Sequence, residues 1–335
     1  MSTANHSSET VACVCGESRV NPEPILAKDQ ASGERFSYWH CIHCSAERLS
    51  PRPTPDVIGG YYPADYACHA VRNDRLAASV KRLVYEVFFA PENSFGAFRP
   101  LLKLLLFPIR RRTVLAFHQP NVRKVFEFGA ASGNDLVTFK SAGWEIAGCE
   151  PSAHACQIAA GRGIVLQNCA AEAANIPPDS VSCVLMNNVF EHLHDPARIL
   201  AIAWRALEHN GVLVLIVPNH ASWAARSFGA AWPAFDAPRH LWGFSPCSLE
   251  ILLGRSGFRI DYVDHQAPGR WFWEGAIEGH TAQASVAAWR LDFARYLSLA
   301  MIPLGMLAAV LGHGDFIKVA ARKIDRDPEG PEEPK

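Results

Sequence analysis

The chain has 335 residues, 49% of them hydrophobic, and 32 Lys and Arg stand against 33 Asp and Glu for a formal net charge of −1. That length accommodates one large α/β domain with a smaller module. Apart from the local run Arg110-Arg111-Arg112, the balanced charge offers none of the basic surface that nucleic acid demands, so no nucleic-acid partner is expected. Met1 to Thr10 is polar and lacks the apolar core of a secretion signal. Ten cysteines in such a chain point to reduced thiols and metal binding in a cytoplasmic setting rather than to a disulfide framework.

Residues 1–66 read as a small zinc-ribbon-like leader. Cys13-Val14-Cys15-Gly16 and Cys41-Ile42-His43-Cys44 are two tight cysteine pairs separated by a polar, extended stretch. Four soft thiolates in two knuckles suit tetrahedral zinc and leave no open coordination position, so Cys13, Cys15, Cys41 and Cys44 are expected to hold a structural zinc ion. The first pair is one residue short of C-x2-C spacing, which keeps His40 and His43 as substitute ligands. The competing reading is four buried free thiols acting as small hydrophobes. Phe36–Trp39 reads as a strand entering the second knuckle. The prolines of Ser50-Pro51-Arg52-Pro53-Thr54-Pro55 then stiffen the backbone, and Tyr61, Tyr62 and Tyr66 either pack the leader or touch a substrate.

Residues 67–120 read as a helical connector or lid, with a helical pattern over Asp74–Phe89 and an apolar and basic pattern over Phe95–Phe117. Leu101 to Phe107 beside three arginines suits either a membrane surface or a lid across a cleft.

From Asn121 to residue 324 strands and helices alternate, the signature of a doubly wound, mainly parallel α/β sheet, here of seven strands. The strands are placed at Arg123–Phe128, Glu145–Glu150, Ile164–Leu166, Val181–Asn187, Gly211–Val217, Phe258–Asp264 and Asp315–Arg322. Helices are placed at Ser132–Ala142, Ser152–Arg162, Ala197–Glu208 and Pro246–Ser256. Ser152 and Ser245 are good N-caps, and Gly143, Gly163, Gly211 and Gly257 mark helix ends. The stretch Val125-Phe126-Glu127-Phe128-Gly129-Ala130-Ala131-Ser132-Gly133 is a buried strand ending in a carboxylate, then a small-residue turn, then a helix start. Such a turn admits a ligand close to backbone amides. In sheets of this kind ligands bind at the carboxyl ends of strands, where strand order reverses, which gathers Glu127, Gly129 to Gly133, Glu150, Ala170 to Glu172 and Asn187.

This arrangement resembles the cofactor half of a class I S-adenosylmethionine-dependent methyltransferase. The leader resembles the zinc-ribbon segments that precede sugar- and small-molecule-modifying members. Glu191-His192-Leu193-His194-Asp195-Pro196, Pro218-Asn219 and Pro238-Arg239-His240 resemble further motifs of that group. The resemblance implies a Rossmann-like fold and S-adenosylmethionine bound by Glu127, Gly129, Ala130, Gly133, Glu150, Pro151, Ala171 and Asn187. Glu127 would orient the methionine ammonium and Glu150 the ribose hydroxyls. Ala131 departs from the family's middle glycine, Ala170 and Ser182 from acids usual at those places. A nicotinamide fingerprint is the rival for the turn, but Asn134 stands where it needs glycine.

Methyl transfer from a sulfonium needs an in-line nucleophile, a dry site and a proton acceptor, and histidine suits the last task near neutral pH. His192 and His240, with Glu191 beside them, are the expected catalytic residues, and His194 is a third candidate. Glu191, His192 and His240 could alternatively ligate a divalent ion, although Asn188 stands where a further glutamate is usual. An apolar insertion over 265–314 carries Trp271-Phe272-Trp273 and an uncharged run from Leu297 to Leu311. It is short for a bilayer span and suits a peripheral membrane contact, a lid or a dimer interface. Residues 325–335, rich in Pro, Glu and Asp, read as a disordered tail. The expected activity is methylation of a small-molecule or glycan acceptor, a lipid-linked one if the insertion lies on a membrane surface. The alternative is a catalytically inactive scaffold that binds partners through the zinc module and the insertion. Oligomeric state is not legible.

Overall fold

The computed structural model describes residues 7–29, 31–62, 79, 83–84, 86–88, 95–110, 123–266 and 302–324. Most of the Asp74–Phe89 helix, Tyr66, residues 111–122, the tryptophans of the insertion and the 325–335 tail lie outside the described residues. In chain order the strands and helices are β1 (Ser8–Glu9), β2 (Ile25–Lys28), β3 (Arg35–His40), β4 (Glu47–Leu49), β5 (Arg52–Pro53), α1 (Arg99–Arg110), β6 (Lys124–Phe128) and α2 (Asn134–Ser141). They continue with β7 (Glu145–Cys149), α3 (Ala153–Gly161), β8 (Val181–Asn187), α4 (Pro196–Ala206), β9 (Leu207–Pro218) and α5 (Trp223–Phe228). The last are β10 (Trp242–Gly243), α6 (Pro246–Arg255), β11 (Phe258–Gln266), α7 (Ile302–Val310) and β12 (Phe316–Lys323).

The main sheet has the order β11-β12-β9-β8-β6-β7. The pairs β6–β7, β6–β8 and β8–β9 are parallel, and β12 runs antiparallel between β9 and β11. Its strands alternate apolar side chains between two covered faces, as buried parallel strands do. Phe126, Phe128, Val184 and Met186 pack into one core, while Val125, Cys183 and Leu185 pack into the other with Leu136, Phe139 and Trp144. From β6 the chain goes to β7 on one side and to β8 on the other, so the carboxyl ends of β6, β7 and β8 border the switch point.

Among the described residues the main sheet has six strands, not the expected seven. The expected strand at Ile164–Leu166 is reduced to a single parallel bridge between Cys149 and Gln167. It is a three-residue segment on a sheet edge with Val165 88% exposed, too little apolar burial to extend the ladder. A second correction concerns Gly211, which lies inside β9. Helix α4 stops at Ala206, and Asn210 is the residue with left-handed backbone, φ 61°. Ser152 and Ser245 do cap α3 and α6, accepting hydrogen bonds from Ala155 N and Ser248 N.

The leader forms a four-stranded antiparallel sheet in the order β10-β4-β3-β2, and β10 is supplied by the main domain. Ala27, Phe36, Tyr38 and Leu49 share one apolar cluster with Trp232, Phe235, Leu241, Trp242 and Leu252. Among the described residues no helix is long and apolar enough to cross a membrane.

Candidate active site

Strand β6 carries Glu127 to the switch point, and the chain then turns through Gly129–Gly133 into α2. Gly129 (φ 60°) and Gly133 (φ 72°) need left-handed backbone and have no room for a side chain. A Cβ on Gly129 would lie 2.6 Å from Val189 Cγ2, and one on Gly133 2.7 Å from Ile164 Cδ1. Ala131, where a glycine was missed in the sequence, also has positive φ, 47°. Left-handed backbone costs a non-glycine residue about 1–2 kcal/mol, and glycine returns about 0.4–1 kcal/mol through unfolded-state entropy. Ala131→Gly is therefore expected to raise the thermal midpoint by about 1–4 °C, measured by calorimetry, and an unchanged or lower midpoint would show that the turn is relaxed as it stands.

Glu150 at the end of β7 braces this turn. Its Oε2 accepts from Ala131 N at 2.9 Å and its Oε1 from Ser152 N at 2.8 Å. Arg162 Nη1 holds the opposite side, donating to Asn134 Oδ1 at 2.9 Å and to Ser132 O. Glu127 is only 4% exposed and its Oε2 is buried without a hydrogen-bond partner. Burial, with Asp135 and Glu150 nearby, holds its carboxyl well above the usual carboxylate range. Asn187, at the end of β8, donates from Nδ2 to Asp135 Oδ2 at 2.7 Å. Three carboxylates thus surround one glycine-lined turn, an arrangement that suits a cationic ligand approaching the backbone. Sequence reading missed Asp135; its place in the first turn of the helix after the glycine turn was the available signal. Ala130 is buried, Ala171 sits buried in a single 3-10 turn, and Pro151 O accepts from Asn168 Nδ2 at 3.0 Å. These line the same strand ends. Ser182 lies away from the crevice, its hydroxyl donating to Lys124 O at 3.0 Å.

The segment after β8 forms a short 3-10 turn, Phe190–His192, and the loop before β10 brings His240 against it. The His192 and His240 rings meet edge to face with centroids 4.6 Å apart, and His240 Nε2 is 3.9 Å from Glu191 Oε1. His240 Nδ1 lies 2.7 Å from Ala234 O and His192 Nδ1 2.9 Å from Arg239 O. A carbonyl only accepts, so both Nδ1 atoms carry hydrogen and each Nε2 keeps its lone pair. Tyr62 Oη also reaches His192 Nδ1 at 3.1 Å, which makes Tyr62 a site residue. Both carboxylate oxygens of Glu191 are buried without a hydrogen-bond partner, and burial pushes this acid up to about 8. Burial, then the neighbouring His192, pushes His240 down to about 3. Arg239, beside it, binds Asp236 through Nε at 3.0 Å and the leader's Asp29 through Nη1 at 3.3 Å. His194 does not join this cluster. Its Nε2 is bound to Pro53 O at 3.1 Å and its own carbonyl accepts from Arg52, so it fastens the leader. Asn219 likewise spends its side chain on Gly314 O and Ala221 N.

In the leader the Sγ atoms of Cys13, Cys15, Cys41 and Cys44 all lie within 4.8 Å of one another, and all four residues are buried. Cys13 and Cys44 are 3.4 Å apart and Cys15 and Cys41 3.6 Å, far beyond a disulfide bond. Four converging buried thiols, with backbone amides of Cys15, Glu17 and Ala46 directed at three of them, fit a tetrahedral thiolate metal centre. His40 is not in the set; its Nδ1 lies 3.8 Å from Glu47.

Residues 98–263 match a family model described as a methyltransferase domain. Uncharacterized proteins from Mycobacterium bovis and Mycobacterium tuberculosis are 29% identical over 201 residues, 57% of this chain and 66% of theirs, just under two thirds of those relatives. Among solved structures, a SAM-dependent methyltransferase from Thermotoga maritima is 19% identical with a TM-score of 0.44, covering 69% of this chain and 98% of its own. Geranyl diphosphate C-methyltransferase from Streptomyces coelicolor A3(2) is 13% identical with a TM-score of 0.48, covering 82% of this chain and 100% of its own.

Proposed function

We propose that this chain, which belongs to the class I S-adenosylmethionine-dependent methyltransferases, methylates a small-molecule or glycan acceptor with a histidine taking up the acceptor's proton. S-adenosylmethionine supplies an activated methyl on a sulfonium. The chain's own groups do the rest. Glu127, Asp135 and Glu150 furnish negative charge for a cationic nucleoside, and the glycine turn lets its amides approach closely, with Gly129, Ala130, Gly133, Pro151, Ala171 and Asn187 around it. A cation there would draw Glu127 back to its ionised form, since opposite charge favours the charged state.

The observation that carries the proton-transfer reading is the His192–His240 pair. Each ring is tied at Nδ1 to a backbone carbonyl, leaving Nε2 free to accept. Burial keeps both rings neutral. His240 is the preferred base because its Nε2 lies 3.9 Å from Glu191 Oε1, and an imidazolium formed there would favour the ionised form of Glu191, which burial otherwise pushes up to about 8. Mass spectrometry of a cell extract incubated with methyl-labelled S-adenosylmethionine tests the function: one metabolite is expected to gain the label. No labelled product, combined with no cofactor binding by calorimetry, would favour an inactive scaffold, which has no need of the cofactor.

A second reading has its own observation. An oxygen of Glu191, whose carboxylate oxygens are orphaned, and one ring nitrogen each of His192 and His240 lie within 4.8 Å of one another, so the three residues fit a divalent cation as well as a base. Metal counting separates the two, since Glu191→Gln would then bind one equivalent fewer than the wild type. Support for a reducing, cytoplasmic compartment remains the cysteine usage. Support for a peripheral membrane contact is the surface of α1, where Leu101, Leu104 and Leu105 are exposed.

A further inference from the structure

We propose that the leader is a positioning part of the active site: a metal ion on Cys13, Cys15, Cys41 and Cys44, together with the Tyr38 hydroxyl, fixes the backbone that carries His240. The inference rests on the reading of His240 as proton acceptor, and it assigns the thiolate centre a role in the transfer step rather than in stability alone.

The connection can be followed bond by bond. The second knuckle closes with Cys41 N donating to Ala46 O at 2.8 Å, and one residue later β4 begins. Strand β4 pairs with β10, Arg48 opposite Trp242 and Glu47 opposite Gly243. Leu49 N donates to Leu241 O at 3.0 Å, and Leu241 N donates in turn to Glu191 O at 2.8 Å. The peptide next to His240 is thereby held by the leader on one side and by the Glu191 turn on the other. Tyr38 on β3, fully buried, places its hydroxyl 2.6 Å from His240 O and 3.0 Å from Phe235 O.

Three further contacts lock the register. Glu47 Oε2 accepts from His220 Nδ1 at 2.7 Å with both groups buried, and a Cβ on Gly243 would lie 2.3 Å from that same nitrogen. On the thiolate side, Ser245 Oγ donates to Cys44 O at 2.9 Å and Arg255 Nη1 to Cys15 O at 2.7 Å. Both donors belong to α6 or its N-cap, directly after β10. Losing the metal would release the knuckles, then β4, then the loop that sets His240. The hydrogen bonds that brace the cofactor turn run instead among Glu150, Ala131, Ser152 and Arg162, all within the main domain.

The test uses the full chain, zinc-loaded and chelator-stripped, with hydrogen exchange followed by mass spectrometry and S-adenosylmethionine affinity by calorimetry. Stripping is expected to accelerate exchange about tenfold or more over residues 232–245 while residues 123–150 stay protected and cofactor affinity stays within about twofold. Unchanged exchange over 232–245 would overturn the proposal. So would faster exchange throughout the chain, which is what a purely structural metal produces. Tyr38→Phe is the milder probe: zinc content and cofactor affinity are expected to hold while methyl incorporation into extract falls about tenfold. Undiminished incorporation counts against a positioning role for Tyr38. Loss of cofactor affinity in parallel with incorporation does the same. If His240→Ala leaves incorporation intact, the base reading fails; the exchange result is independent of it.

Discussion

Replacing His240 by alanine is expected to lower methyl-transfer turnover by about 10²–10⁴-fold, the range of a positioned general base, while S-adenosylmethionine affinity changes by no more than about twofold. The split follows from geometry. The ring belongs to the loop before β10 and meets His192 and Glu191, whereas the cofactor turn is braced by Glu150 and Arg162. Single-turnover kinetics with labelled cofactor and calorimetry measure the two halves separately. A control distinguishes local chemistry from loss of histidine: His194→Ala, whose ring fastens Pro53 O, should leave turnover within about threefold if the protein stays folded. Because burial and His192 hold His240 near 3, its ring is neutral throughout the neutral range. The acid limb of kcat/KM is therefore expected below the ordinary histidine value of about 6.5. Turnover that survives in His240→Ala removes it from the mechanism.

The second large effect is expected at Glu150. Its two oxygens accept from Ala131 N and Ser152 N, and in the proposed complex the same carboxylate takes the ribose hydroxyls. Hydrogen bonds to a charged group contribute about 1.5–3 kcal/mol, so Glu150→Ala should weaken cofactor binding by about 10- to 100-fold, read by calorimetry. The variant must be shown to fold, since the turn loses a brace as well. Glu150→Gln keeps one acceptor oxygen and should fall between alanine and wild type. Affinity within about threefold of wild type in Glu150→Ala would mean that the ribose is held elsewhere.

Much of this was legible in the chain because the signals are local. A carboxylate at a strand end, a small-residue turn, a capped helix and two cysteine pairs each occupy fewer than ten consecutive residues. What was not legible depends on distant partners. Tyr38 reads as one more strand aromatic until it meets His240 O, 202 residues away. Arg239 reads as part of a motif until Asp29 appears beside it, 210 residues back. His194 reads as a third candidate behind His192 and His240, yet its Nε2 is consumed by Pro53. The Ile164–Leu166 strand failed for a related reason: strand composition does not disclose that Val165 faces solvent at the sheet edge. The backbone at Ala131 is the reverse case, since the residue type argued against the left-handed conformation that the turn imposes.

That β10, a strand from the main domain, completes the leader's sheet has an evolutionary corollary. A segment whose last strand is lent by its neighbour is no interchangeable cassette. Grafting it onto another catalytic body would require the recipient to present an equivalent Trp242–Gly243 edge, and deleting it would bare that edge together with Leu241 and Phe235. The two parts are bound to diverge in step, so the seam that composition suggests is a boundary of residue type and not of folding.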